Sequence, residues 1–284
     1  MAYGSPSSER DIEAYFTHIR GGRTPSPEAL AGLVDRYRAI GSSPLDAITR
    51  AQAKALGAKL DMPVFVGMKH APPFIAAAAA AARDAGIERL VGLPLAPHYA
   101  RLSFDGYEDP LHKSWDGELI SVRGFHAHPD FIAAVRELLV EALRDFAPDH
   151  VFFTAHSLPA RIVAEGDDYP GRLLESCRLV AAGVRLPGWS FAFQSASTTG
   201  EPWLGPDLIA ALAASGAHSV LVCPIGFVAD HLEILYDLDV EAMAWAREHK
   251  VDLRRTASFN DRPSFIAALD RVVRESIATE PAIR

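Results

Sequence analysis

Short runs of β-branched and aromatic residues alternate along this chain with longer stretches whose apolar positions recur at helical spacing. The runs at 63–66, 89–95, 119–123, 150–155, 189–193 and 219–225 predict strands, with a weaker one at 251–255. Helices are predicted at 73–83, 131–146, 171–182, 206–214, 230–248 and 263–277. Strands separated by helices of this length imply βαβ crossovers and parallel sheets, an α/β fold. The pattern runs twice, and the turn-like Ala-Pro-Asp at 147–149 divides it into units 1–147 and 148–261, with a closing helix after them. Residues 1–60 fit the scheme less well. They read as helices at 9–19, 27–40 and 45–60, leaving only residues 1–3 as the stub of a first strand.

Composition narrows the classes. The chain has 284 residues, 49% hydrophobic and 23% charged, enough for two domains of similar size or one large α/β domain. A net charge of −8 leaves no global basic footprint, so no nucleic-acid partner is expected. Two cysteines, Cys177 and Cys223, exclude a disulfide framework and a four-cysteine zinc or iron–sulfur site built from this chain alone. They could still form one bridge; the competing reading, and the one expected here, is two reduced and buried thiols. The start has no basic and apolar leader, and the longest apolar run, 74–82, is far short of a membrane span, so a soluble cytoplasmic protein is expected.

Ligands of open parallel sheets bind beyond the carboxyl ends of the strands. Three such ends carry histidine: Lys69-His70, Pro97-His98 and His156-Ser157. Together they suggest one cleft rich in imidazole, suited to proton or metal traffic. Within the helix at 230–248, Glu233, Asp237 and Glu241 fall at i, i+4 and i+8 and stack on one face. Like charges so placed destabilise a helix by about 0.2–0.5 kcal/mol per pair, so such a ladder calls for a cation. The competing reading is a solvated acidic face. His126 and His128 read either as a surface metal clip or as ordinary exposed loop histidines. Residues 18–38 hold His18, Arg20, Arg23, Arg36 and Arg38 against Glu28 and Asp35, a local basic patch suited to carboxylates. Phosphate-loop, dinucleotide, nucleophile-elbow and His-Glu-x-x-His motifs are absent.

These residues carry a resemblance. Ala-Tyr-Gly-Ser-Pro at 2–6, Tyr-Phe-Thr-His-Ile-Arg at 15–20, Arg36-Tyr37 leading to Ile-Gly-Ser-Ser-Pro at 40–44, Lys69-His70, Ala-Pro-His at 96–98, Ala-His-Ser-Leu-Pro at 155–159, Glu-Pro-Trp-Leu-Gly-Pro-Asp at 201–207 and Gly-Phe-Val-Ala-Asp-His-Leu-Glu-Ile-Leu-Tyr-Asp at 226–237 resemble the ferrochelatase family over nearly the whole chain. The first two segments look like the bacterial coproporphyrin branch. The resemblance implies two Rossmann-like domains with parallel four-stranded sheets flanked by helices, a porphyrin cleft between them, and the final helix, 262–284, packed back on the first domain. It implies insertion of ferrous iron into coproporphyrin III, or alternatively protoporphyrin IX, in haem biosynthesis. His156 and Glu233 match the catalytic pair, and Tyr3 matches the tyrosine on the opposite face of the macrocycle. Asp237 and Glu241 match outer carboxylates that hand on metal, so the metal set is His156, Glu233, Asp237 and Glu241. Arg20, Arg36, Ser43 and Tyr107 match positions near the propionates. Relatives carry several apolar residues before Ala-Tyr-Gly, whereas only Met1 stands there in this sequence, so either the true start lies upstream or the first strand is short.

Two pyrrole protons must leave before a divalent ion can enter the macrocycle. In the mechanism expected here His156 accepts a proton, Glu233 orients His156 or the iron, and the arginine patch anchors the propionates. No cofactor beyond substrate Fe2+ and no iron–sulfur cluster is expected. A monomer is expected, open to transient contact with the next enzyme of haem synthesis. A cobalt or nickel chelatase for a more reduced tetrapyrrole and a non-catalytic tetrapyrrole carrier are the rival readings.

Overall fold

The computed structural model describes residues 1–197 and 200–279. It opens with helices α1 (Ile12–Ile19), α2 (Pro27–Ala39) and α3 (Leu45–Leu60). Helix α2 starts where the Ser26 side chain accepts the amide of Ala29 and Pro27 fills the first turn, where its missing N–H costs nothing. Then follow α4 (Ile75–Asp84), β1 (Arg89–Gly92), α5 (Arg101–Ser114), β2 (Glu118–Ser121) and α6 (Pro129–Arg144).

Strands β1 and β2 pair in parallel, and the first sheet is this two-stranded ladder rather than the expected four strands. Bridge contacts extend it. The Ala2 amide donates to Gly67 O (3.0 Å), Lys69 N to Ala2 O (2.9 Å) and Leu95 N to Met1 O (2.8 Å). Residues 1–3 therefore run between 67–70 and 93–95, with Tyr3 at their carboxyl end, but three residues are too few to make a ladder. The expected strand at 63–66 forms none. An apolar cavity of about 260 Å³ separates it from β1, lined by Val64, Val66, Leu90 and Leu111, and none of the candidate site residues reaches it.

Helix α5 is absent from the sequence expectation because Gly106 and Pro110 lie inside it. An internal proline costs a helix about 3 kcal/mol. Phe104, Tyr107 and Leu111 recur on one face and are buried, each offsetting about 1.5–3 kcal/mol, and burial wins.

The second half contains β3 (His150–His156), the short α7 (Arg161–Ala164), α8 (Tyr169–Ala181), β4 (Trp189–Gln194), α9 (Leu208–Ser215), β5 (Ser219–Cys223), α10 (Leu232–Leu235), α11 (Met243–His249), β6 (Asp252–Arg255) and α12 (Pro263–Thr279). Its sheet has the order β4-β3-β5-β6, all parallel. Residues 151–155 of β3 are all buried, which is why the run reads as continuously apolar. The chain goes from β3 outward to β4, then crosses back to β5 on the other side of β3. His156 thus ends the strand at the point where the winding reverses, where open sheets bind ligands.

The helix expected at 230–248 is three pieces. His231 is extended (φ −160°), α10 begins at Leu232, and a π-helical stretch at Asp237–Ala242 joins it to α11. There the Glu241 amide reaches back to Tyr236 O (2.9 Å).

Helix α12 packs on α3 and α6, and one apolar cluster joins Leu56, Leu139, Phe153, Leu221, Phe265 and Leu269 across both halves. Residues 280–284 of the expected closing helix lie outside the described residues. Cys177 and Cys223 are free and buried in this cluster; burial pushes both thiols up, Cys223 to about 12. Among the described residues no helix is long and apolar enough to cross a membrane.

Gly226, whose amide donates to Thr154 O (3.0 Å), lies so close to β3 that an added Cβ would meet Ala155 Cβ at 2.4 Å and its Cα at 2.8 Å. Gly226→Ala is expected to lower stability by about 1–3 kcal/mol in chemical denaturation, with activity falling as the end of β3 shifts.

Candidate active site

The end of β3 delivers His156 beside Glu233 at the start of α10. His156 Nε2 lies 3.4 Å from Glu233 Oε1, and the two side chains keep 31% and 29% of their surface open. His156 Nδ1 contacts the Ser157 carbonyl, which can only accept, so Nδ1 carries a proton. Tyr169 donates to His156 O (3.0 Å), and Gln194 Nε2, at the end of β4, donates to Glu233 O (2.8 Å). His231, fixed by Nδ1 on Ala229 O (2.9 Å), sets Nε2 3.4 Å from Glu233 Oε2. Both carboxylate oxygens are therefore faced by imidazole.

These contacts determine charge. Burial acts to depress His156, but the charge and hydrogen bond of Glu233, the Ser157 carbonyl and Asp237 outweigh it and raise the imidazole to about 9. Burial likewise opposes ionisation of Glu233, yet His156 and His231 hold its carboxyl well below the usual range. At neutral pH the pair is imidazolium and carboxylate.

Below this pair the acidic ladder breaks up. Asp237 is buried and takes a hydrogen bond from Ser195 Oγ, while its Oδ1 lies 3.7 Å from Arg36. Ser195 follows β4 in the left-handed region (φ 62°). Burial, with lesser help from Glu233 and Glu241 and against Ser195 and Arg36, pushes Asp237 up to about 6. Glu241 is exposed within the π-helical stretch, whose wider turn removes it from the expected stack. Among the described residues no three ligating side chains close on one metal position.

The opposite wall is Tyr3. It keeps 37% of its surface open, while burial above all, and the Glu233 charge as well, push its phenol upward. The same charge acts on Tyr37 of α2 and Tyr107 of α5. Glu233 and these phenols thus share one space. Tyr15 of α1 donates to Gly4 O (3.2 Å), pinning the turn after Tyr3, and Gly4 is left-handed (φ 88°) with Ala71 Cβ only 3.0 Å from any added Cβ. Lys69 Nζ lies 6.0 Å from the Tyr3 ring and 5.2 Å from that of Tyr107, and donates to Ser103 O (3.2 Å). It reaches there past Gly106, where a Cβ would sit 2.0 Å from Lys69 Cε.

The remaining sequence candidates divide. Arg36 lies over the Tyr236 ring (4.9 Å) beside Asp237 and crosses from α2 to the second half. Arg20 is exposed at the end of α1, over Phe16 (5.7 Å), and Tyr107 is buried. Ser43 accepts the Leu45 amide (3.4 Å) at the start of α3. Arg38 pairs with Glu9 (2.6 Å) and Asp35 (3.6 Å), which takes it out of the basic patch. His98 does not join the cleft: it is buried, with Nε2 on Ser176 Oγ (2.9 Å). His126 and His128 lie in the loop before α6 but are half-buried rather than exposed; they face Glu175 (3.0 Å) and Glu275 (3.3 Å), and His128 also caps α6. Sequence reasoning missed Tyr37, Tyr169, His231 and Ser195 as parts of the site. The last three could have been found only from their places after or beside the strand ends.

A parallel sheet with its ligand crevice at the strand ends, facing a second such set, is the architecture of chelatases. SirB from Bacillus subtilis, solved with Fe3+, superposes with a TM-score of 0.62 at 13% identity, over 81% of this chain and 88% of that one, a likeness of fold alone. The family model described as Ferrochelatase matches residues 1–277. A ferrochelatase of Herpetosiphon aurantiacus is 40% identical over 96% of each chain, and a coproporphyrin III ferrochelatase of Halalkalibacterium halodurans is 39% identical over 98% of this chain and 96% of its own. The chain belongs to the ferrochelatase family.

Because His156 is raised from an ordinary value near 6.5 to about 9, its proton contributes stability in full below pH about 6.5, and that contribution is lost as pH rises through about 9. Glu233→Gln is expected to lower His156, since the largest contributions opposing burial are then gone, and to flatten stability between those pH values. Imidazole 15N shifts and denaturation across the range check both.

Proposed function

We propose that this enzyme inserts ferrous iron into coproporphyrin III, with His156 and Glu233 at the metal-insertion face and Tyr3 on the opposite face. The observation that carries the reading is the 3.4 Å His156–Glu233 pair, open to the space that Tyr3 walls on the other side. Relatives named as coproporphyrin III ferrochelatases, one 39% identical over 98% of the chain, favour that substrate over protoporphyrin IX. So does chemistry: coproporphyrin carries more carboxylates, and Arg36, Arg20, Ser43 and Tyr107 are assigned to them. We read the two halves, 1–147 with the closing helix and 148–261, as the two walls of the cleft. The reduced, buried thiols suit the cytoplasm.

The charge state orders the steps. An imidazolium cannot accept a proton, so His156 must first give its own to solvent water, to which its side chain is partly open. Fe2+ arriving beside the Glu233 carboxylate replaces that proton's charge, and the neutral imidazole with the carboxylate makes a transient site for the ion. Asp237 and Glu241 lead to it. As the ion moves off the imidazole onto the face of the macrocycle, Glu233 again faces a neutral imidazole, and its charge draws one pyrrole proton onto Nε2 before the metal enters the ring plane. The same ion pair thus releases the metal and takes a proton. Arg36 holds Asp237 until a propionate competes for its guanidinium.

Anaerobic assays with Fe2+ and each porphyrin side by side test this. Coproporphyrin III is expected to be metallated with the higher kcat/KM. His156→Ala should bind porphyrin within about twofold of the native protein while insertion drops 100-fold or more. Porphyrin binding without any iron-dependent change in the visible bands of the native protein would instead mark a carrier.

A further inference from the structure

Insertion frees two pyrrole protons, and His156 receives one. We propose that His70 and His18 form the exit for the second, on the Tyr3 side of the cleft. The inference rests on the porphyrin reading above and adds to it a catalytic residue and a relay.

The backbone joins His70 to that wall: its amide donates to Tyr3 O (2.9 Å), and its ring lies 4.6 Å from the Tyr3 ring, centre to centre. His70 Nδ1 is 3.0 Å from His18 Nδ1. Neither nitrogen can accept while it carries a proton, so at that separation one donates and the other is bare. Nε2 of His70 has no partner among the described residues and is the nitrogen left for substrate. His18, on α1, is exposed; its ring stacks on Phe74 at 5.2 Å and lines a surface pocket with Arg10, Glu13 and Thr17. The pair therefore runs from the cleft wall to solvent.

The charged surroundings keep His70 a conduit rather than a store. Burial, the neighbouring Lys69 and His18 depress it to about 3, so it does not retain a second proton. Lys69 faces it from its own segment, Tyr3 from residues 1–3, and Arg10 and Glu13 lie on the α1 side beside His18. Once iron rests on the opposite face, its charge acidifies the remaining pyrrole N–H. That N–H breaks and the proton bonds to His70 Nε2. The His70 Nδ1–H breaks and bonds to His18 Nδ1, and His18 Nε2–H is given to water. No electrons change hands, one proton enters and one leaves, and solvent exchange restores the starting tautomers.

Single-turnover insertion into coproporphyrin III, anaerobic and in dilute non-basic buffer, tests the relay. His70→Ala, with His70→Asn as the volume-keeping control, is expected to slow insertion about tenfold or more while porphyrin affinity and the circular dichroism spectrum stay native. His18→Ala is expected to slow it too, and added imidazole should restore that rate without affecting the native enzyme. Native rates in the His70 variants, or a His18→Ala enzyme that is either unimpaired or not rescued by imidazole, overturn the relay. Failure of the native protein to insert iron would instead overturn the porphyrin reading itself.

Discussion

One charge pair organises this molecule. An imidazolium or a carboxylate alone at the end of a buried strand would pay heavily for lost water, and each would neutralise. Set 3.4 Å apart, His156 and Glu233 keep each other ionised against that burial. The arrangement needs rigid support because Coulomb attraction and hydrogen bonding both fall steeply with distance. Gln194 on the Glu233 carbonyl, Tyr169 on that of His156 and His231 on the second carboxylate oxygen supply it.

That support extends into the second half. Arg255 grips Asp239 with two contacts (2.7 and 2.8 Å) and lies 3.3 Å from Asp230. Ser258 and Asn260 donate to Asp230 as well (2.7 and 2.9 Å). The segment entering α10 and the π-helical stretch after it are thereby tied to the end of β6 and the chain beyond it. Across the cleft the frame repeats: Tyr3 ends the central segment of the first half much as His156 ends β3. A centre that handles protons and metal between two such ends gains chemically distinct faces, one acidic and one aromatic.

Much of this was legible in the chain. The strands at 150–155 and 219–225 were readable because burial on both faces demands continuous apolar runs, and the edge strand at 189–193 from its aromatic residues. His156 and Glu233 were readable from the strand end, the acidic spacing and the family segments around them. Helix α5 was not, since Gly106 and Pro110 mask a face that only packing justifies. The run at 63–66 was misread as a strand because a strand needs a paired neighbour as well as propensity. His98 looked equivalent to His156 by position, yet Ser176 from α8 turns it into a buried structural contact.

By itself the sequence determined the alternation of strands and helices, the parallel sheet of the second half and the residue types gathered at its strand ends. Those follow from local periodicity and from short-range spacing, which are written into consecutive residues. Tertiary structure alone decided which histidine is charged, which is neutral and which is merely buried. It also decided that the acidic ladder is broken by a π-helical turn and that Arg36 rests on Asp237. Each of these depends on a partner distant in the chain and on how much water the fold leaves between them, and no local pattern encodes either.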